Sequence, residues 1–217
     1  MSKFRHCLWV GAASCLGLAG CGTGPESGTL QILMVKSQPA AGSVVPALVI
    51  DGAAGDVSIS SIESIVLTVS RVDVKPASAP DGEEGESQWI RIPVTGGAVV
   101  DVLALPALGG QPIAEGEVAA TEFKEVRLIC DGGATITLNE PVTVSGGQVI
   151  GDDEPLQQPL NIPSCQSSGL KIKGATFRVS EDGEATATVE VETDATVQSI
   201  IWNGNGFSMN PVMKLKS

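Results

Sequence analysis

Residues 62–75 read IESIVLTVSRVDVK, and the spacing of their apolar residues indicates the fold class. Ile65, Leu67 and Val69 lie on one face of a strand, and the alternation resumes one residue out of phase at Val72 and Val74. A period of two residues is typical of a β-strand that buries one face. The phase shift near Ser70 predicts a β-bulge within that strand.

The same alternation recurs in short segments on both sides of this stretch. Turn signals such as Asp182-Gly183 and Asn203-Gly204 separate the segments. Many short strands at this spacing predict an all-β fold, an antiparallel β-sandwich of the immunoglobulin-like or prealbumin-like kind. Only residues 111–121 suit a helical turn. The further predicted strands are 29–36, 89–94, 99–105, 123–130, 134–138, 170–179, 184–192, 196–202 and 207–215.

The N-terminus has the features of an exported lipoprotein. Lys3 and Arg5 precede a short apolar run, and residues 18–21 read Leu-Ala-Gly-Cys. The run is shorter than the roughly 20 apolar residues that span a bilayer, and its cationic start is typical of a secretory signal peptide. Its ending resembles the lipobox of bacterial lipoproteins, in which cleavage between Gly20 and Cys21 leaves a lipid-modified cysteine. The alternative is an ordinary signal peptide with a chance cysteine.

This interpretation divides the chain into three parts. Residues 1–20 are a lipoprotein signal peptide, residues 21–28 are the lipidated N-terminus and a flexible tether, and residues 29–217 are a single β-sandwich domain. Acyl chains hold a protein at a membrane without a spanning helix. Gly22 stands where an aspartate would favour retention at the inner membrane of enteric-type bacteria. We therefore expect a lipid-anchored protein of the cell envelope, at the outer membrane and facing the periplasm or the surface.

Composition excludes several functions for residues 21–217. They contain 11 basic and 25 acidic residues, a net charge of −14, and no histidine or tyrosine. Because the basic residues are few and scattered along the chain, we expect no nucleic-acid partner. Without an imidazole, Ser-His-Asp and Cys-His catalysis and histidine zinc sites are excluded. We expect a protein that is not an enzyme.

Two catalytic patterns need separate consideration. Ser168 and Lys171 match the S-x-x-K motif of penicillin-recognising enzymes, which places both residues on one helix. Gly169 and the strand-like residues that follow argue against that helix. The carboxylates Asp101, Glu192 and Asp194 suit a hydrolase only if the fold brings them together. The scarcity of aromatic residues argues against a cleft for sugars.

The remaining cysteines and one acidic run suggest stabilising or ligating roles. Cys130 and Cys165 form an even pair in an exported chain, which predicts a disulfide; two buried thiols are the alternative. Asp152, Asp153 and Glu154 are three adjacent carboxylates in a polar stretch, and calcium prefers oxygen ligands. Adjacent residues rarely converge on one ion, so a solvated loop is the main interpretation. We expect no cofactor, with calcium as the alternative.

The order of the elements resembles the bacterial envelope-lipoprotein family catalogued as number 4382 among the domains of unknown function. The motifs that carry the resemblance are Val100-Asp101-Val102-Leu103, the run before Arg127-Leu128, Ser168-Gly169-Leu170-Lys171 and Asn210-Pro211-Val212. The sequence departs from the family at Glu192-Thr193-Asp194-Ala195, where the usual aspartates are partly replaced. The resemblance implies a β-sandwich, a structural role for the S-G-L-K segment and no assigned activity.

The sequence therefore predicts a binding or interaction module of the envelope, with an envelope protein or a glycan as partner. The net negative charge favours a cationic protein, or divalent ions that bridge to a polyanion such as lipopolysaccharide. A structural assembly component that pairs by its strand edges is one alternative, and a carboxylate-dependent hydrolase is another. Structural roles are expected for Asp101, as a loop anchor or a solvated acid, and for Arg127, paired with an acid on a neighbouring strand. Trp89 and Trp202 are expected to pack in the core. Residues 76–88 are expected to form a mobile hairpin loop.

Overall fold

A computed structural model describes residues 26–38, 61–80, 85–94, 96–131, 133–144, 147–153 and 155–216. Gly20 and Cys21 lie outside these ranges, as do the whole predicted signal peptide and most of the predicted tether. The described chain consists of β-strands with one short α-helix, which confirms the all-β prediction. In these ranges no helix is long and apolar enough to cross a membrane.

The strands are short, as their spacing predicted. A 3-10 helix, Glu86–Gln88, and the α-helix α1, Thr193–Gln198, lie between strands. The strands in chain order are β1 (Ser27–Lys36), β2 (Ile62–Val69), β3 (Arg71–Pro76), β4 (Ile90–Ile92), β5 (Ala98–Asp101), β6 (Gln111–Ala119), β7 (Glu122–Ile129), β8 (Ala134–Leu138), β9 (Val142–Thr143), β10 (Val149–Ile150), β11 (Gln157–Asn161), β12 (Leu170–Arg178), β13 (Glu184–Val191), β14 (Ile201–Trp202), β15 (Phe207–Ser208) and β16 (Met213–Lys216).

Two large sheets make up the domain. The first has eight strands in the order β4-β3-β7-β12-β16-β13-β1-β6, and the second has six in the order β14-β15-β11-β8-β2-β5; β9 and β10 pair separately. A bridge between Val94 and Ala114 joins the two ends of the eight-stranded sheet, which gives the fold a near-barrel character. Most pairs are antiparallel, whereas β1 with β13, β12 with β16 and β11 with β15 are parallel.

The phase shift at Ser70 is the point at which the chain passes from one sheet to the other. Val69 pairs with Ala98 in the six-stranded sheet, and Arg71 pairs with Ile129 in the eight-stranded sheet. The prediction of a bulge within one strand was therefore wrong. Ser70 holds the corner: its hydroxyl donates to the Ile129 carbonyl oxygen at 3.1 Å and accepts the Asp131 N–H at 3.1 Å.

Apolar residues from both sheets fill one core. Phe123 and Phe177 stack with ring centroids 5.4 Å apart, and Trp202 meets Phe207 edge-on at 5.1 Å. Only 9% of Trp202 is exposed, which confirms its predicted packing role. Full burial of one such side chain contributes about 1.5–3 kcal/mol.

The segment 111–121 is strand rather than helix. It forms β6, which pairs with β1 from Ser27 to Met34 and buries Ile113 and Val118. Pro112 and Gly116 interrupt the alternation of apolar and polar residues, so the sequence pattern did not indicate a strand. The long pairing with β1 supplies the backbone hydrogen bonds that make it one.

The opposite error occurs at residues 196–202. The chain forms α1 and then the two-residue strand β14. Thr196, Val197 and Ile200 are buried, a spacing that suits one face of a helical turn as well as part of a strand. The Thr196 hydroxyl accepts the Val212 N–H at 2.9 Å, which fixes this turn beside the segment before β16.

The predicted disulfide between Cys130 and Cys165 is present, with the Cα atoms 5.2 Å apart. Cys130 follows β7 directly, and its N–H also donates to the Cys165 carbonyl oxygen at 2.9 Å. The bond joins the corner after β7 to the turn that precedes β12. Both strands contribute residues to the site described next.

Candidate functional site

Basic residues gather on four neighbouring strands, β4, β3, β7 and β12. Eight of the eleven Lys and Arg residues between 21 and 217 belong to these strands, against three acidic residues. All other positions from 21 to 217 carry three basic and 22 acidic residues. The Lys and Arg residues are scattered along the chain, but the sheet brings them together. The eight are Arg71, Lys75, Arg91, Lys124, Arg127, Lys171, Lys173 and Arg178.

Strand register places six of them on the outer side of the sheet, five of them in two rows and Arg71 two residues before Asp73 on β3. Asp73 lies between Arg91 and Arg127, and Arg127 is followed by Lys171. A second row runs Lys75, Glu125, Lys173. The alternate positions on the same strands, such as Val72, Val126 and Ile172, are buried in the core. We call the outer side the basic face, formed by Arg71, Lys75, Arg91, Arg127, Lys171 and Lys173.

An ion pair between Asp73 and Arg127 lies at the centre of the basic face. Arg127 Nη2 and Nε donate to Asp73 Oδ2 at 2.7 and 3.0 Å, and the two side chains are only 3% and 1% exposed. The pairing across neighbouring strands confirms the role predicted for Arg127. Burial alone would lower the pKa of Arg127, but hydrogen bonds to Glu86 and Asp73 raise it.

Glu86 covers the two arginines from the connection between β3 and β4. Arg127 donates from Nη1 to Glu86 Oε1 at 2.9 Å and from Nη2 to Glu86 Oε2 at 3.1 Å. Arg71 Nη2 donates to the same Oε2. The hydrogen bonds from Arg127 and Arg71 lower the pKa of Glu86 to about 2. The Glu86 side chain is 69% exposed. One surface carboxylate is thus held by three N–H groups of two arginines.

Trp89 forms a wall beside this carboxylate. Its ring lies 4.5 Å from the Arg127 guanidinium and 5.9 Å from Lys75 Nζ, the geometry of a cation–π contact. Trp89 is half-buried rather than part of the core, so the prediction of core packing holds for Trp202 only. The hairpin between β3 and β4 is confirmed by their antiparallel pairing.

The S-G-L-K segment supports the same cluster. Gly169 has φ +79°, and a Cβ built on it would lie 2.6 Å from Arg127 Cγ, so the turn can approach Arg127 only through a glycine. Ser168 lies in that turn and Lys171 on β12, so the two residues do not share a helix. The S-x-x-K arrangement of penicillin-recognising enzymes is absent from this segment.

Of the carboxylates considered for hydrolysis, Asp101 lies in a different part of the fold from Glu192 and Asp194, and Asp194 belongs to α1. Asp101 ends β5 in the six-stranded sheet, where its Oδ1 accepts the N–H groups of Ile65 at 3.2 Å and Leu103 at 3.1 Å. This confirms its predicted role as a loop anchor. Glu192 follows β13 of the other sheet and accepts Lys214 Nζ at 2.7 Å.

The calcium candidates do not form a centre in the described chain. Asp152 and Asp153 are exposed in the turn after β10, and Glu154 lies outside the described residues. Within the ranges that the structure describes, no group of three or more His, Cys, Asp or Glu residues is arranged to hold a metal ion.

The sequence analysis missed the grouping of Arg71, Asp73 and Glu86 around Arg127. The polar positions of 71–76 and 123–130 indicated which residues point outward. Only the sheet order makes β3 the neighbour of β7. Only the fold of the hairpin brings Glu86 over Arg71 and Arg127.

Comparison with known proteins yields one family. The model of the family described as Domain of unknown function (DUF4382) matches residues 54–211, a range that includes the whole basic face. No curated protein and no solved structure matches the chain.

Proposed function

Because the chain belongs to the DUF4382 family, whose description assigns no activity, we propose a function from its own residues. The protein is a lipid-anchored binding module of the cell envelope. Cys21 carries the anchor, and the basic face engages an acidic envelope protein. It is not an enzyme.

The anchor keeps the folded domain at the membrane. The Leu-Ala-Gly-Cys segment supports lipidation of Cys21, and β1 begins only six positions later, at Ser27. Six extended residues span at most about 20 Å. The domain therefore works within reach of other envelope components, on the side of the membrane to which the lipid is delivered.

The observation that carries the proposal is the separation of charge. The four strands β4, β3, β7 and β12 hold eight basic and three acidic residues, while residues 21–217 as a whole have a net charge of −14. A local patch of opposite sign to the rest of the molecule orients an encounter and selects partners of complementary charge. Arg91 and Lys173 are 67% and 73% exposed and are placed for this contact.

Assembly through strand edges receives less support. The ends of the eight-stranded sheet meet at the bridge between Val94 and Ala114, which occupies part of the edge of β6. In the six-stranded sheet the edge strand β5 has one carbonyl, that of Val99, bonded to the Gln111 side chain at 2.9 Å. The opposite edge strand, β14, has only two residues.

The test is photo-crosslinking of the full chain in its native host. Photoreactive residues replace Arg91 or Lys173 on the basic face and, as the matched control, Glu115, an exposed residue on β6 of the same sheet. We expect one dominant partner from positions 91 and 173, none from 115, and loss of the capture in Cys21→Ala. Labelling with palmitate should likewise require Cys21.

Other patterns overturn the proposal. Crosslinks only between copies of the chain would replace it by a structural assembly role. A partner captured equally from all three positions would exclude the basic face as the binding surface. Capture of a glycan rather than a protein would make the partner class wrong.

A further inference from the structure

We infer that Arg71 and Arg127 form a carboxylate-binding fork that Glu86 occupies in the free protein and that an acidic side chain of a partner polypeptide takes over on binding. This inference rests on the proposed function and deepens it, because it names the chemical group that the basic face recognises. It also gives Glu86 a second role, as an internal competitor for the partner.

The fork is organised independently of Glu86. Arg71 Nε donates to both carboxylate oxygens of Asp73, at 2.9 and 2.8 Å, and Arg127 donates to Asp73 Oδ2 through Nε and Nη2. One buried carboxylate thus holds both guanidinium groups. Their remaining N–H groups, Arg71 Nη2 and Arg127 Nη1 and Nη2, point to Glu86. Planar guanidinium groups in this arrangement match a carboxylate with two oxygens.

Glu86 is attached weakly compared with the groups that hold the fork. It lies in a three-residue 3-10 helix that buries none of its residues, directly after Gly85. Its side chain is 69% exposed, whereas Asp73 is 1% exposed. When Glu86 leaves the fork, the molecule loses ion pairs at the surface and no apolar packing from this helix.

Charge balance defines the incoming group. Arg71 and Arg127 carry two positive charges, which Asp73 and Glu86 balance. Departure of Glu86 removes one negative charge from this cluster, and an incoming carboxylate replaces that charge with the same planar geometry. The Trp89 ring beside the fork offers an apolar wall to a polypeptide, and the group already bound there is a glutamate within Gly-Glu-Ser-Gln.

The test measures binding of a short peptide with a single carboxylate to the full-length protein in detergent. The probe is N-acetyl-Gly-Glu-Ser-Gln-amide, and its counterpart with Gln for Glu is the blank. The signal is the fluorescence of Trp89, with Trp89→Phe to define the background. The variants are Glu86→Gln and Glu86→Ala, which empty the fork, and Glu192→Gln, which removes a charge from another surface ion pair, with Lys214.

We expect both Glu86 variants to bind the probe at least about tenfold more tightly than the wild type, because a tethered group competes at millimolar effective concentration. Glu192→Gln should behave as the wild type. The blank peptide should not bind, and Arg71→Lys in the Glu86→Gln background should abolish binding, because lysine has no planar fork. Thermal unfolding of each variant checks that it is folded.

Equal affinity for the probe in the wild type and both Glu86 variants would overturn the inference. Equal affinity for the probe and the blank peptide would also overturn it, because binding would then not depend on the carboxylate. Tighter binding of inorganic phosphate than of the probe would make the ligand class wrong. Crosslinks from positions 91 and 173 without peptide binding would overturn the inference about the fork and leave the proposed function supported. Peptide binding without those crosslinks would support the fork and overturn the proposed function.

Discussion

Asp73 and Arg127 stand opposite each other on β3 and β7, and the arginine donates two hydrogen bonds to one buried carboxylate oxygen. The pair lies on the outer side of the sheet, yet both side chains are almost fully buried. Glu86 and Trp89, from the hairpin connection, and Gly169, from the turn before β12, all contact Arg127. One arginine therefore connects the sheet with two loops.

Removing Arg127 should destabilise the domain strongly. Arg127→Met leaves the Asp73 carboxylate buried with Arg71 as its close partner, and breaking a buried ion pair costs about 3–5 kcal/mol. Because Arg71 compensates part of that charge, we expect the lower end, about 3 kcal/mol, in the free energy of unfolding measured with urea. The double variant Asp73→Asn, Arg127→Met should recover part of the loss. A loss below about 1 kcal/mol would show that the pair is not structurally important.

Gly169 should tolerate no side chain. Gly169→Ala forces alanine into φ +79° and brings its Cβ against Arg127. The left-handed conformation costs an L-residue about 1–2 kcal/mol, and overpacking adds about 1–3 kcal/mol.

Gly109→Ala is the matched control, since Gly109 has φ +77° and nothing within 4 Å of its added Cβ. It should show the conformational cost alone in the same urea experiment. If both variants lost the same stability, close approach to Arg127 would not be the reason for glycine at 169.

The disulfide should contribute substantially to stability. It closes a loop with a sequence separation of 35 between Cys130 and Cys165, for which chain entropy gives about 3–4 kcal/mol. We expect Cys130→Ala, Cys165→Ala to lose this amount on urea unfolding. A thiol assay of the unfolded wild type checks oxidation: two free thiols from this pair without reductant would contradict the bond.

Glu86 should make stability depend on pH in the acid range. Arg127 and Arg71 lower its pKa to about 2 in the folded state, from an ordinary value of 4.5. A group whose pKa falls on folding stabilises the protein above its unfolded pKa, and that contribution is lost as pH decreases through the folded pKa. The melting temperature of the wild type should therefore exceed that of Glu86→Gln by a constant margin above about pH 4.5.

The margin should shrink between pH 4.5 and 2, because the unfolded chain takes up a proton at Glu86 in this range while the carboxylate of the folded protein stays ionised until about pH 2. Asp73, Arg71 and Arg127 face Glu86 in both proteins, so the comparison differs only in the Glu86 carboxylate. A margin that persisted unchanged at pH 2 would exclude the ion pairs of Glu86 as its source.

Local periodicity predicted the strands wherever one face was regularly apolar. Residues 65–69 and 184–191 illustrate this, because burial against one core demands an apolar residue at every second position. The same information failed at 111–119, where Pro112 and Gly116 interrupt the pattern. It failed again at 196–198, because a short run of buried residues satisfies a helical turn equally well.

Residue order was enough to predict the all-β class, the outward side of each regular strand, the disulfide partners and the pairing of Arg127 with some acid. The packing of the strands was needed to show that the acid is Asp73, that Ser70 marks a change of sheet, and that Glu86 closes the fork. It also gathered the eight basic residues, which lie between positions 71 and 178. The physical reason is that neighbours within a strand follow from residue order, whereas neighbours across a sheet follow from the packing of strands distant in the chain.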